Sequence, residues 1–275
     1  MKKRKGARLG QHFLIHSWPA AKLAHAVPLQ EGEVFLEIGP GKGVLTKELL
    51  KLGPVVAIEK DPDLIVRLRE TFSSDINASH LTLIEDDIRN FDASGYPPER
   101  IRSVRAGKLP ATGYILAANI PYYITGEIIR QFLTATVQPR AMALLVQKEV
   151  ADRIVARDGK ESILSLSVKA YGTPRIIAKV GKTHFSPPPS VDSAILVIDN
   201  ISKRFFDDIS EEKFFALVHA GFASKRKMLA GNLSRTINKK TVSAAFAPCG
   251  IPEKARAEDV RLSEWKCLSA TLHEN

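Results

Sequence analysis

Two short stretches of this sequence hold residue types that could do chemistry together. The first is Glu37-Ile38-Gly39-Pro40-Gly41-Lys42-Gly43, which follows an apolar, β-branched run and opens a helical pattern. Glycines there let the backbone turn sharply and come close to a ligand. The second is Asn119-Ile120-Pro121-Tyr122, which follows the fourth of five apolar runs. An asparagine side-chain oxygen and the backbone carbonyl near Ile120 can accept from both N–H groups of one amine. The exocyclic amine of adenine is a poor nucleophile because its lone pair is delocalised into the ring. Two acceptors aimed at its hydrogens favour a more tetrahedral, more reactive nitrogen. Pro121 would fix the turn that presents the carbonyl, and Tyr122 offers a face for a base taken out of its helix.

Acidic residues at neighbouring strand ends complete the pattern. Glu59 closes the second run, 20 positions after Gly39, followed by Lys60. A carboxylate there can accept hydrogen bonds from both ribose hydroxyls of a nucleoside cofactor. Asp87 and Ile88 follow the third run. Asp87 can accept from the adenine amine of such a cofactor, or it can simply cap a short helix. A dinucleotide site wants G-x-G-x-x-G over a pyrophosphate, whereas here the spacing is G-x-G-x-G with Val44 where the third glycine would stand. This spacing favours S-adenosylmethionine, which carries no phosphate, over a dinucleotide, with a plain glycine turn as the alternative. Methyl transfer from a sulfonium needs no acid–base dyad, only nitrogen, methyl carbon and sulfur held in line. The expected cofactor wall comprises Glu37, Gly39, Gly41, Gly43, Glu59, Lys60, Asp87, Ile88 and Asn119.

These residues need a frame. Apolar runs at 34–38, 55–59, 81–84, 114–118 and 141–146, with helical patterns at 44–52 and 62–73, predict a doubly wound, mostly parallel α/β sheet of the Rossmann-like kind. Strands at 175–180 and 193–198, with only a proline-rich turn between them, predict an antiparallel edge. From residue 211 onward the pattern is helical, at 211–221, 225–237, 240–248 and 263–272, so a small all-helical domain is expected. The expected domains are 1–205 and 206–275, and Phe214, Phe215 and Leu217 are expected in the helical core.

Composition narrows the partner. The chain has 275 residues and a net charge of +10, which points to a polyanion such as nucleic acid. Arg100, Arg102, Arg105 and Lys108 in the long connection 92–112 are candidate phosphate contacts, as are Lys225, Arg226 and Lys227. Each cluster taken singly reads equally as a solvated face. Cys249 and Cys267 form no CxxC and no zinc spacing, and read as reduced thiols of a cytoplasmic protein. His12 and His16 stand four apart, as a metal pair on a helix would, but nothing nearby supplies a third ligand, so no metal is expected. The basic N-terminus lacks the apolar run of a secretory signal, and no stretch is apolar enough for a membrane helix. Nothing calls for more than a monomer.

With these motifs in order, the chain resembles the ribosomal RNA adenine N6-dimethyltransferases, most closely the small-subunit type. The likeness begins at Gly10-Gln11-His12-Phe13-Leu14. It continues through residues 37–43, Glu59, Asp87, 119–122, Gln147-Lys148-Glu149-Val150-Ala151 and His184-Phe185-Ser186-Pro187-Pro188-Pro189-Ser190-Val191-Asp192-Ser193. It ends in Phe222-Ala223-Ser224-Lys225-Arg226-Lys227-Met228-Leu229 and Arg256-Ala257-Glu258. It implies dimethylation of two adjacent adenosines in a hairpin near the 3′ end of small-subunit RNA, late in subunit assembly, with a C-terminal domain that docks RNA. It also implies that Gln11, His12 and Leu14 border the cofactor, and that Phe185 packs on the target adenine opposite Tyr122. His16 departs from the acidic residue common in the family and carries no assigned role. The related large-subunit type, and an RNA-binding assembly factor that keeps the fold without catalysis, are the alternatives.

Overall fold

A computed structural model describes residues 12–91 and 113–273. The chain divides into two compact units. One holds the residues up to Ala151 together with Thr173–Ile201, and the other holds Asp152–Gly172 together with the chain from Ser202 onward. The expected split at residue 205 therefore misses an excursion. Residues 152–172 lie between two strands of the sheet in sequence, yet they pack with the C-terminal helices. Within that unit Lys160 pairs with Glu258 at 2.6 Å, and the Tyr171 hydroxyl donates to Glu211 at 2.6 Å.

The first unit opens with β1 (Phe13–Leu14), α1 (Ser17–Ala24), β2 (Val34–Ile38), α2 (Val44–Leu49), β3 (Val55–Glu59), α3 (Pro62–Thr71), α4 (Ser73–Asn77) and β4 (Leu81–Glu85). It continues through β5 (Tyr114–Asn119), α5 (Thr125–Thr134) and β6 (Ala141–Gln147), and the division between units falls within α6 (Lys148–Val155). After α7 (Ile163–Lys169) of the second unit, the first closes with β7 (Thr173–Val180), β8 (Phe185–Ser186) and β9 (Ser193–Asp199). The main sheet runs β4-β3-β2-β5-β6-β9-β7, parallel from β4 to β6, with β9 and β7 antiparallel. Helices on both faces leave Tyr114 to Ala118 of β5 and Met142 to Val146 of β6 almost wholly buried, which is why these strands read as unbroken apolar runs.

Strand order reverses between β2 and β5, so the crevice beyond their carboxyl ends is open to a ligand. Register sets what lines it. Ile38 pairs with both Ile58 and Ala118, and Glu59 pairs with Glu85, so the Gly39 turn, Glu59, Asp87 and Asn119 leave the sheet on one edge. A separate antiparallel pair, β1 with β8, joins the N-terminal segment to the proline-rich turn, whose Ser186–Pro187 bond is cis.

In the second unit, α8 (Glu211–Gly221), α9 (Leu229–Leu233), α10 (Lys239–Phe246) and α11 (Leu262–His273) surround Phe214, Leu217 and Trp265. The helix expected at 225–237 is shorter than its pattern. Asn232 Nδ2 donates to the carbonyls of Gly221 and Ser224, which holds residues 222–228 as a turn, and Lys225, Arg226 and Lys227 project from it exposed. The reading of Cys249 and Cys267 as thiols is also corrected. The end of α10 and the face of α11 bring their Cα atoms to 5.5 Å, and they form a disulfide. Among the described residues, no helix is long and apolar enough to cross a membrane.

Gly43 shows how closely the glycine turn is packed. It begins α2 at φ 78°, and an added Cβ would lie 2.5 Å from the Phe72 ring. Left-handed backbone and overpacking together put the cost of Gly43→Ala at about 2–4 kcal/mol. Urea denaturation of the variant measures it, and a loss under about 1 kcal/mol would mean that Phe72 moves aside freely.

Candidate active site

The cleft at the switch point is lined by His12, Ile38, Gly39, Gly41, Ile58, Glu59, Lys60, Asp87, Ile88, Arg89 and residues 119–124. Glu59 is its rigid acidic wall. Oε2 accepts from the Gly41 N–H at 3.1 Å, and Oε1 from the Lys60 and Asp61 N–H groups at 2.9 and 3.0 Å. Oε2 thus keeps one lone pair for a ligand hydroxyl. The side chain is 4% exposed, and burial pushes its carboxyl above the usual range against the pull of those three amides. Gly39 turns at φ 63° with open space where a Cβ would stand, so a ligand can reach its backbone.

Asp87 is held differently. It caps the 3-10 turn Ile88–Asn90 through the Arg89 N–H, and its carboxylate also takes the Arg89 guanidinium and the Lys60 ammonium, at 2.5 and 2.7 Å. The Arg89 guanidinium, with Lys60 assisting, holds this carboxyl well below the usual range. Both readings of Asp87 therefore coexist: it is a helix cap and it lines the cleft. Arg89 had no place in the sequence argument. Only the tight turn after Asp87 brings a side chain two positions on back over its own cap.

At the other end of the cleft, Asn119 Nδ2 donates to the His12 carbonyl at 3.0 Å. A carbonyl can only accept, so this bond fixes which end of the amide is which and leaves Oδ1 as the acceptor. Pro121 opens a 3-10 turn over Tyr122–Ile124, and its carbonyl accepts from Ile124. The Tyr122 hydroxyl shares a 2.7 Å hydrogen bond with buried Ser193, and its ring lies 5.7 Å from that of His12. Ser193 sits on β9, inside the motif that the sequence flagged for Phe185. It is the residue that anchors the aromatic wall.

Beside the cleft a small recess is lined by Phe13, Leu14, Glu37, Gly41, Lys42 and Asn119 among others. Glu37 is 1% exposed there, and its Oε2 has no hydrogen-bond partner. Burial pushes its carboxyl up to about 8, with Thr46 opposing and the charge of Glu59 adding. A buried carboxyl with one oxygen left over can ionise against an arriving cation. The group that fits these residues is a nucleoside with a cationic amino-acid tail: a ribose at Glu59, an ammonium at Glu37, and an adenine ring between Ile38, Ile58 and Ile88. S-adenosylmethionine has those parts.

Two sequence expectations, for Phe185 and Gly43, are not met at the site. Phe185 is 2% exposed and packs in the core with Leu14, Val180 and Ile195, so it presents no face to the cleft. Its strand pairing with Leu14 turns it inward. Gly43 faces Phe72 and Leu68 rather than the cleft. His12 and His16 share no helical face, because His12 precedes β1 and His16 sits at the start of α1. Gln11, Arg100, Arg102, Arg105 and Lys108 lie outside the described residues.

Comparison with known proteins matches this geometry. The profile of the family described as "Ribosomal RNA adenine dimethylase" covers residues 2–274. "Ribosomal RNA small subunit methyltransferase A" of Dehalococcoides mccartyi is 39% identical, over 100% of this chain and 90% of its own. The protein of that name from Clostridioides difficile is 35% identical over 96% and 90%. Among solved structures, the 23S rRNA methyltransferase ErmE aligns with TM-score 0.75 and 26% identity over 94% of this chain and 99% of its own. A dimethyladenosine transferase from Plasmodium falciparum shares the fold, with TM-score 0.76 and 23% identity over 94% and 96%. With the glycine turn, the paired carboxylates and the oriented asparagine in one cleft, the chain belongs to the ribosomal RNA adenine dimethylase family of S-adenosylmethionine-dependent methyltransferases.

Proposed function

We propose that this protein transfers methyl groups to the N6 amines of two adjacent adenosines in a hairpin near the 3′ end of small-subunit ribosomal RNA, late in subunit assembly. The observation that carries the reading is the Asn119 carboxamide, turned by the His12 carbonyl so that Oδ1 is an acceptor in the same cleft as Glu59. S-adenosylmethionine, when bound, supplies a methyl group already activated on a sulfonium. Glu59, Glu37 and the isoleucines hold its nucleoside and ammonium ends. Asn119 Oδ1 and a backbone carbonyl at Ile120 take the two amine hydrogens, and Tyr122, fixed by Ser193, gives the flipped base a face. The surplus proton of the methylated nitrogen leaves to water. The identity of 39% to a small-subunit relative, against 26% to ErmE, favours the small-subunit substrate.

Methyl transfer to unmethylated small and large ribosomal subunits, with the modified bases mapped, tests the substrate. Dimethyladenosine at adjacent positions in small-subunit RNA is expected, and label confined to large-subunit RNA would overturn the substrate while keeping the chemistry. Asn119→Ala is expected to lower kcat about 10²-fold with cofactor affinity little changed, by analogy with losing one preorganised polar group at a reacting centre. Asn119→Asp is expected to fail as well, since a carboxylate cannot donate to the His12 carbonyl. Full turnover in either variant would remove Asn119 from the reacting centre.

Glu37 yields a proton-linked prediction. With its carboxyl near 8, it is mostly protonated at pH 7 in the free protein. An arriving ammonium favours the carboxylate, so cofactor binding is expected to release close to one proton at pH 7. The raised value also means that stability present at acid pH is lost as pH rises toward 8. Calorimetry in buffers of different ionisation enthalpy measures the proton. Glu37→Gln is expected to release none and to gain stability over the parent as pH rises. Identical proton release in parent and variant would reject Glu37 as the ammonium's partner.

A further inference from the structure

Outside the cleft, one surface of the first unit carries exposed apolar and aromatic groups that the reaction does not use. Trp18 is 49% exposed and Ile15 48% exposed. The Trp18 ring lies 5.6 Å from that of His184, tilted by 35°, and His16 meets His184 edge-on at 5.1 Å. These rings lie beyond the ends of the β1–β8 pair, where the Ile15 N–H donates to the His184 carbonyl at 3.0 Å. The same segment enters the cleft at its other end, through His12 and Phe13. From His12 to His16 the extended chain covers roughly 13 Å, about the rise of three to four stacked nucleotides at 3.4 Å per strand residue.

The segments that form this patch are basic. Residues 12–30 and 171–191, which build the patch, contain no aspartate or glutamate, while Lys22, Arg175, Lys179 and Lys182 lie within them. Lys22 stands one helical turn from Trp18 on α1, and Lys182 belongs to the exposed turn that ends at His184. Arg175 and Lys179 pair with Asp199 and Asp192 at the edge of the patch, and Asp192 also accepts from the Lys182 N–H at 3.1 Å, so the excess of positive charge is carried by Lys22 and Lys182. An exposed indole flanked by imidazoles and lysines, with no acidic group in the segments that form it, is chemically a single-strand nucleic-acid platform. A hydrophobic protein partner would not need the lysines, and a duplex backbone would not need the indole.

We propose that Trp18, supported by His184 and His16, stacks an unpaired RNA base a few nucleotides from the base held in the cleft, with Lys22 and Lys182 contacting the adjoining phosphates. The proposal rests on the cleft's being the site of an RNA substrate, and it extends that substrate's footprint along β1. It gives Trp18 a binding role and no part in the chemistry.

The chain suits a direct test because it has two tryptophans and the other, Trp265, is fully buried in the helical unit. Intrinsic fluorescence titrated with a short single-stranded oligoadenylate is expected to show saturable quenching of Trp18. Trp18→Ala is expected to weaken oligoadenylate binding about 5- to 100-fold, and Trp18→Phe to retain most of it. Cofactor affinity and the urea midpoint should stay at the parent's values, which separates a contact from a fold defect. Unquenched fluorescence with oligoadenylate bound, or equal quenching by an abasic strand, would overturn the stacking role. Quenching by RNA-free ribosomal protein but not by oligoadenylate would overturn it in favour of a protein partner. If quenching is seen while no ribosomal RNA is methylated, the substrate reading fails and the platform stands.

Discussion

The site depends on one hydrogen bond, from Asn119 Nδ2 to the His12 carbonyl at 3.0 Å. It decides that the reacting end of the cleft offers an acceptor rather than a donor. The bond is only as good as the position of His12, and His12 directly precedes a two-residue strand that could not hold itself. β1 is held by β8, by the 2.8 Å bond between His12 Nδ1 and the Pro187 carbonyl, and by Leu14 and Phe185 sunk side by side into the core. Phe185 therefore acts at a distance. Its ring anchors β8, β8 registers β1, β1 places the His12 carbonyl, and that carbonyl orients Asn119. A residue expected to touch the substrate proves instead to hold in place the strand that orients Asn119.

The electrostatics follow the same economy. The protein is strongly basic overall, at +10, yet its cleft is walled by Glu37, Glu59 and Asp87. A polyanion is drawn to the surface by long-range charge, while the cleft itself is lined by carboxyl groups. That separation explains why the spacing of the glycine turn mattered at the level of sequence. A pyrophosphate cradle would have needed the buried carboxyl of Glu37 to be something else.

Much of this was legible in the residues, for identifiable reasons. The strands at 34–38, 55–59 and 114–119 are buried on both faces, so their apolar runs needed no tertiary context to be seen, and the motif residues stand at their ends because parallel topology puts them there. What was illegible depended on long-range packing. The pattern at 225–237 reads as a helix, but the Asn232 amide captures the Gly221 and Ser224 carbonyls and keeps residues 222–228 in a turn. The disulfide required knowing that the end of α10 meets α11. The return of residues 152–172 to the helical unit rests on pairs such as Lys160 with Glu258, separated by nearly a hundred positions. The burial of Phe185 rests on a strand pairing across more than 170.

The two carboxylates on the cofactor wall show what the structure adds to a motif. Glu59 and Asp87 look equivalent in sequence, each an acid at a strand end. Glu59 is fixed by three backbone amides that cannot move without unwinding the turn. Asp87 is held chiefly by Lys60 and Arg89, whose side chains are 57% and 48% exposed. Exposed ion pairs are worth about 0–1 kcal/mol each, so either cation can swing into solvent at small cost and release a carboxylate oxygen. One carboxylate is preorganised and the other is adaptable. That asymmetry suits a ligand of which one part must be placed accurately while another needs only to be recognised.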